Sequence, residues 1–295
     1  MTFLQSLIDG IGLGAVYAVV AVGIGLVFGV MRLVNFAYGE LITAGGYTLA
    51  LLSGAPAIVA IIVCFAVVVT LALIQERIAF RPLRGASPAT MLIATFAVSF
   101  LLQNVYLLIF GSRGSTVGTL GQLNEAIAVG SLRIRYITIV AAVAGAALLA
   151  GLTFVLNRTM IGLQLRAAAA DLRTARTLGV RADRVITAAF AISGVLAASV
   201  AVLLTVQSPL VTPDYGVSVT IFALVGVVVG GLDRLLTASL GGFAIGFAQA
   251  FVGDLLPSSG SQYLPSVVYG LVILILVLRP SGLFASRRVT AAERV

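Results

Sequence analysis

The chain has no lysine, no histidine and no tryptophan, a single cysteine, and only 9% charged residues. Each absence removes a class of chemistry. A Walker-type phosphate loop needs a lysine to hold the nucleotide phosphates, so no such ATP site is expected in this chain. Without histidine there is neither an HExxH zinc site nor a Ser-His-Asp triad, and the sequence offers no catalytic or metal-ligating set. Cys64 stands alone in an apolar run, which predicts a small packing residue rather than a reactive thiol. One cysteine forms no internal disulfide, so the redox compartment is not readable from it. The scarcity of charge decides most: a chain of 295 residues that is 60% hydrophobic, with mean hydropathy +1.16, cannot cover the surface of a soluble domain.

What is present is a series of apolar runs. A helix needs roughly 20 apolar residues to cross the hydrocarbon core. Such segments recur at about 9–30, 36–54, 57–75, 89–110, 135–156, 185–206, 218–232, 236–254 and 263–279. The expected fold is all-α, one polytopic transmembrane bundle over 1–295 with eight or nine membrane segments. The seventh segment is short, and Gly230-Gly231 ahead of Asp233-Arg234 reads as a half-helix or a broken span. The first has no basic stretch or small-residue cleavage site around it, so it reads as a retained span.

All eighteen basic residues are arginine, and their placement orients the segments. Fifteen fall on one side: Arg32; Arg77, Arg81 and Arg84; Arg158 through Arg184; Arg234; and Arg279 through Arg294. Three fall on the other, at Arg113, Arg133 and Arg135. The positive-inside rule puts the rich side, and with it the C-terminus, in the cytoplasm, and nine spans then put the N-terminus outside. The net charge of +8 thus reflects membrane orientation rather than a nucleic-acid partner.

Two loops are long. The external one, about 111–134, is rich in Gly, Ser and Thr. The cytoplasmic one, about 157–184, carries six arginines and two aspartates around an alanine-rich stretch of strong helix propensity. Ala167, Ala168, Ala175 and Leu178 form a small, weakly apolar face, Arg166, Asp171, Arg173 and Arg176 lie largely elsewhere, and Gly179 is a natural C′ stop. A surface helix would explain the charge alone. The small face points further, to a helix on which a partner protein docks closely.

Between the first two segments stands MRLVNFAYGE, Met31 to Glu40. Asn35, Phe36, Ala37, Gly39 and Glu40 precede or begin an apolar helix, where unsatisfied N–H groups can hold a polar ligand. Asn35 reads as an N-cap. A carboxylate at membrane depth is functional or paired, and Arg32 across the turn is the nearest candidate partner for Glu40. Among the 32 glycines, the clusters Gly23–Gly29 and Gly226–Gly231 each precede an arginine and a chain reversal. This adds Gly230 and Gly231 to the candidate path or gate, beside the plainer role of tight helix packing. The 207–218 loop, with Pro209, Pro213 and Gly216, reads as turns.

These pieces resemble the permease subunits of ABC importers for branched-chain amino acids, a family that extends to amide and urea permeases. GLGAVYAVVAVGIGLVFGVMRLVNFAYGE is similar to the family's opening, with its N-[FL]-A-x-G-[ED] signature. GLQLRAAAADLRTARTLGV is similar to its coupling segment, VVGGLDRLLTASLGGFAIG to its Gly-rich late region, and LRPSGLF to its closing R-P-x-G-[LI]-F. The chain departs from the pattern at Tyr38, where histidine is frequent, and at GGLDRLLTA. The resemblance implies a bacterial inner-membrane subunit paired with a second permease. Two cytoplasmic ATPases that bind the ATP and an extracytoplasmic substrate-binding protein would complete it, with no cofactor in this chain. It also implies alternating access, with Arg166 to Gly179 receiving the movement. An ion-coupled secondary transporter or a channel for a small polar solute is the alternative, and neither needs a cytoplasmic docking helix. A membrane enzyme would lack catalytic groups.

Overall fold

A computed structural model describes residues 3–118, 121–129, 132–231, 235–256 and 262–279. Helices form at all nine apolar runs: α1 (Phe3–Met31), α2 (Tyr38–Leu51), α3 (Ala57–Ile74), α4 (Pro88–Phe110), α5 (Tyr136–Arg158), α8 (Ala182–Gln207), α9 (Tyr215–Gly230), α10 (Leu235–Leu255) and α11 (Leu264–Leu278). Between α5 and α8 lie α6 (Met160–Ala170) and α7 (Leu172–Thr177). A π-helical turn, Gln75–Phe80, continues α3. Among the described residues six helices are long and apolar enough to cross a membrane: α1, α3 with its π-turn, α4, α5, α8 and α10. The helices α9 and α11 are apolar but shorter. At 14 residues, α2 spans about 21 Å, well under the roughly 30 Å hydrocarbon core.

The boundaries follow local chemistry. Ser87 caps α4 by accepting the Thr90 N–H at 3.2 Å, with Pro88 in the first turn, where its missing donor costs nothing. Thr159 caps α6 by accepting the Gly162 N–H at 3.1 Å. The helices α1 and α8 are the buried centre, with 83% and 78% of their most apolar windows enclosed. The outward faces of α3, α4 and α5 keep large apolar side chains exposed, as a lipid-facing surface does.

Small residues set the packing of the centre. Phe247, Phe243 and Gly246 of α10 lie against Gly10 and Gly14 of α1, and Leu235 against Gly25, so the two helices run antiparallel. A Cβ at Gly246 would come within 2.8 Å of the Gly14 Cα, and one at Gly242 within 2.6 Å of the Tyr17 carbonyl oxygen. Such approach is open only to glycine, and dispersion contacts of this kind hold helices together where the hydrophobic effect does not. Cys64 is fully buried against Gly45, as a packing residue. Two small antiparallel ribbons, unforeseen in the sequence, ornament the all-α body. One pairs β2 (Ala126–Val129) with β3 (Leu132–Arg135); the other pairs β1 (Ser115–Thr116) with β4 (Leu210–Val211), tying the 111–134 and 207–218 loops together.

Candidate functional site

The segment between α1 and α2 is built by hydrogen bonds that its own sequence supplies. Arg32 ends α1 in the left-handed region, φ 52, with its N–H on the Phe28 carbonyl at 2.7 Å. Asn35 is not the N-cap that its sequence suggests. Its Oδ1 accepts the Ala37 N–H at 3.1 Å and its carbonyl the Tyr38 N–H at 3.3 Å, an Asx turn, while Ala37 occupies the cap position. Phe36 stacks on Phe96 of α4 at a centroid distance of 4.0 Å. Gly39 lies against the backbone of Gly216, where a Cβ would stand 2.7 Å from the carbonyl oxygen. Thr43 bridges the same junction: its hydroxyl donates to the Gly39 carbonyl at 3.2 Å and accepts the Gly216 N–H at 2.9 Å. The first turn of α9 thus gains an acceptor for one of its orphan donors from α2.

Glu40 does not pair with Arg32. It is fully buried, and its Oε1 accepts from Ser99 Oγ at 2.9 Å and from Gln103 Nε2 at 3.0 Å, both on α4. The Tyr106 hydroxyl donates to the Glu40 carbonyl at 2.9 Å. Its other carboxylate oxygen, Oε2, has no hydrogen-bond partner among the described residues. Arg32 instead reaches the opposite way, donating from Nη2 to the Ala169 carbonyl in the last turn of α6 at 2.9 Å. The partners on α4 went unnoticed in the sequence, although Thr95, Ser99 and Gln103 recur every four residues through an apolar helix. That spacing is the signal of a polar stripe.

Gly230 is a packing residue. It lies against Thr237 and Gly241 of α10, one turn from the Gly226–Gly242 contact. Gly231, at φ 100, turns the chain out of α9, with Thr237 Oγ1 donating to its carbonyl at 3.2 Å. Both therefore serve the α9–α10 junction; Asp233 and Arg234 lie outside the described residues.

The 157–184 loop is helical, but in two pieces. Asp171 is extended, φ −155 and ψ 108, and its Oδ1 accepts the Arg173 N–H at 2.8 Å, capping α7 and breaking the single helix that the alanines suggest. The Thr174 hydroxyl and the N–H groups of Arg173 and Thr174 hold the Asp171 carboxyl below the usual aspartate range. Gly179, at φ 88, is the C′ residue of α7: its N–H reaches Arg176 and that of Val180 reaches the Ala175 carbonyl, both at 3.0 Å. The alanines of the small face turn inward, whereas its Leu178 points outward. Ala168 and Ala175 are buried against this chain's own core at 3% exposure each, and Ala167 is half-buried. The outer surface is made instead by Arg166, Asp171, Arg173, Arg176 and Leu178, the last 80% exposed. Beyond it, Glu76, Arg84 and Asp183 join the π-turn to the first turn of α8, a cluster that sequence reasoning did not find.

Among the described residues no three His, Cys, Asp or Glu side chains gather as a metal site. The start of α2 is buried beside the Gly39–Gly216 contact, and a cationic two-helix segment joins α5 to α8 and is held to the end of α1 by Arg32.

The comparisons fit that arrangement. A family model described as the permease component of branched-chain amino acid transport systems matches residues 6–277. The high-affinity branched-chain amino acid transport system permease protein BraD of Pseudomonas aeruginosa is 34% identical, over 95% of each chain. The corresponding LivH proteins of Salmonella typhimurium and Escherichia coli are 32% and 30% identical, again over 95% of each chain. A match of this extent covers the opening helix, the 157–184 segment and the glycine junctions alike, and the chain belongs to the family of branched-chain amino acid transport system permease components.

Proposed function

We propose that this chain is the membrane-spanning permease subunit of an ABC importer, carrying branched-chain or other small aliphatic amino acids inward. The observation that carries the reading is the near full-length similarity to BraD and LivH, which are named as permease proteins of branched-chain amino acid transport systems. In this reading all nine apolar helices are membrane segments, with the C-terminus and the 157–184 loop in the cytoplasm of a bacterial inner membrane. A second permease subunit completes the pathway, two ATPases bind beneath α6 and α7, and an extracytoplasmic binding protein delivers substrate from the other side.

The geometry supports a mechanism for the chain's own part. ATP bound by the partner subunits moves the α6–α7 segment. Arg32 carries that movement to the end of α1 and so to the loop before α2. The loop holds Phe36 and the first turn of α2, with Glu40, against α4, so displacement of the loop shifts α2 against α4 and α9 and opens the pathway to one side at a time. Glycine junctions suit such sliding, because backbone meets backbone with few interlocked side chains. Ion coupling is less favoured, since Glu40, the acidic group in the first turn of α2, is enclosed between α2 and α4.

The test is purification in mild detergent followed by reconstitution with the binding protein. Two ATPase subunits and a second permease are expected to accompany the chain, and vesicles holding them should accumulate leucine only when ATP is supplied. Uptake driven by a proton or sodium gradient alone would sink the reading.

A further inference from the structure

We infer that Glu76 is a positioning residue for transport, linking the cytoplasmic segment to the loop before α2 by a route separate from Arg32. The inference rests on the function proposed above and adds a residue that the family match does not assign.

Glu76 sits in the π-turn that follows α3, with its side chain 4% exposed. Its Oε1 pairs with the Arg84 guanidinium, and its Oε2 accepts from the Thr187 hydroxyl of α8 at 3.2 Å. Arg84 pairs through its other terminal nitrogen with Asp183, which also binds Arg81 at 3.0 Å. Asp183 lies in the first turn of α8, directly after the α6–α7 segment, and is itself largely exposed. Adjacent Gln75 is buried and donates to the Ala37 carbonyl at 3.5 Å, within the Asx turn before α2. Phe80 closes the π-turn against Phe190 of α8, at a centroid distance of 5.6 Å. One continuous set of contacts therefore runs from the cytoplasmic end of α8, through Arg84 and Glu76, to the loop that places Phe36 and Glu40.

A chain of contacts transmits movement only if some element in it has two arrangements. The π-turn supplies one. It closes through the Arg81 N–H on the Glu76 carbonyl, five residues back, at 2.8 Å. Reverting to the α-helical pattern, four residues back, would rotate Arg81 and Arg84 relative to Gln75 and Glu76. Single π-turns are frequent at functional sites. A buried carboxylate is costly unless paired, so the Arg84 contact and the π form stand or fall together. A pull on Asp183 that drew Arg84 away would release the turn, and Gln75 would move Ala37.

The experiment uses the whole complex in proteoliposomes, measuring leucine uptake and ATP hydrolysis in the same vesicles. Glu76→Gln and, separately, Asp183→Asn are expected to lower uptake per ATP hydrolysed by at least about fivefold, the lower end of ordinary coupling between sites. A mere brace would lower both activities together and leave the ratio unchanged. Should Glu76→Gln fail to assemble, Asp183→Asn decides, because that side chain is 59% exposed and its loss does not open the core. An unchanged ratio in Asp183→Asn overturns the inference. Wild-type vesicles without ATP-driven uptake would bring down the underlying function instead.

Discussion

Arg32 and Ala169 lie 137 positions apart in the chain and are joined by a hydrogen bond of 2.9 Å. Arg32 is the one non-glycine residue with positive φ among the described residues, a conformation that costs an L-residue about 1–2 kcal/mol. The carbonyl it reaches belongs to the last turn of α6, where helical partners have run out and a cation is favoured. Strain at the end of α1 therefore goes with holding the α6–α7 segment.

Replacing Arg32 by glycine separates the two effects. Glycine adopts this φ freely, so thermal stability in detergent is expected to change by no more than about 1 kcal/mol. Leucine uptake should nevertheless fall severalfold, because the guanidinium is gone. Full uptake by Arg32→Gly would show that the Ala169 contact carries nothing.

Glu40 fastens α4, a helix that otherwise packs sparsely, to α2. Glu40→Ala would leave the buried Ser99 and the half-buried Gln103 without their acceptor, at a cost of about 1–3 kcal/mol. Glu40→Gln keeps an oxygen for both donors and should lose less. The measure is the unfolding midpoint of each variant beside its uptake, with Glu40→Ala the lower in both. Equal behaviour of the two would mean that neither hydrogen bond matters.

The sequence made some of this legible and hid the rest for physical reasons. Hydropathy located all nine apolar helices, because lipid demands long apolar runs whatever the tertiary contacts. Gly179 was readable as a C′ residue because the constraint on φ is local. Proximity along the chain makes Arg32 the nearest partner for Glu40, but the left-handed turn at Arg32 aims its side chain at α6 instead. Helix periodicity through the alanines suggests that Ala168 and Ala175 form an outward docking face. The break at Asp171 lets both alanines face the core, and a cap in the middle of a good helix former is hard to weigh against propensity. Glu76, Arg84 and Asp183 meet only after folding, across 99 positions between the latter two, and no spacing announces them.

Gly241 meets the carbonyl of Gly226 and the backbone of Gly230 where α9 and α10 cross. Gly241→Ala must push the helices apart, with an expected loss of about 1–3 kcal/mol. Gly151→Ala serves as the control: nothing lies within 4 Å of a Cβ there, and a better helix former should leave stability unchanged or raise it. Melting of the two variants in the same detergent checks the contrast. Equal stability would remove packing as the role of the glycine junction.

The proposed orientation puts Asp214 outside. The side chain is exposed and makes no cap hydrogen bond, so Asp214→Cys is expected to fold normally. The native Cys64 is fully buried and gives little background. An impermeant thiol reagent should label Asp214→Cys in intact cells, and Arg173→Cys only after the membrane is opened. The reverse pattern would invert every side assigned here.

The inward turn of the alanines changes where an ATPase would bind. A bulky charge at Ala168 would enter this subunit's own core, so loss of transport in such a variant would report misfolding and not docking. The outer surface is the proper probe. Leu178 is 80% exposed beside Arg173 and Arg176, an apolar contact point in a cationic setting that suits a partner with an acidic rim around an apolar pocket. Leu178→Glu is therefore expected to leave insertion and detergent stability unchanged while the ATPase subunits no longer accompany the purified chain. Arg176→Glu should weaken the association more at low salt than at high, since screening mutes an unfavourable charge. Co-purification measured at two salt concentrations distinguishes the two variants. ATPase retention by Leu178→Glu with full ATP-driven uptake would place the docking surface elsewhere on the cytoplasmic side.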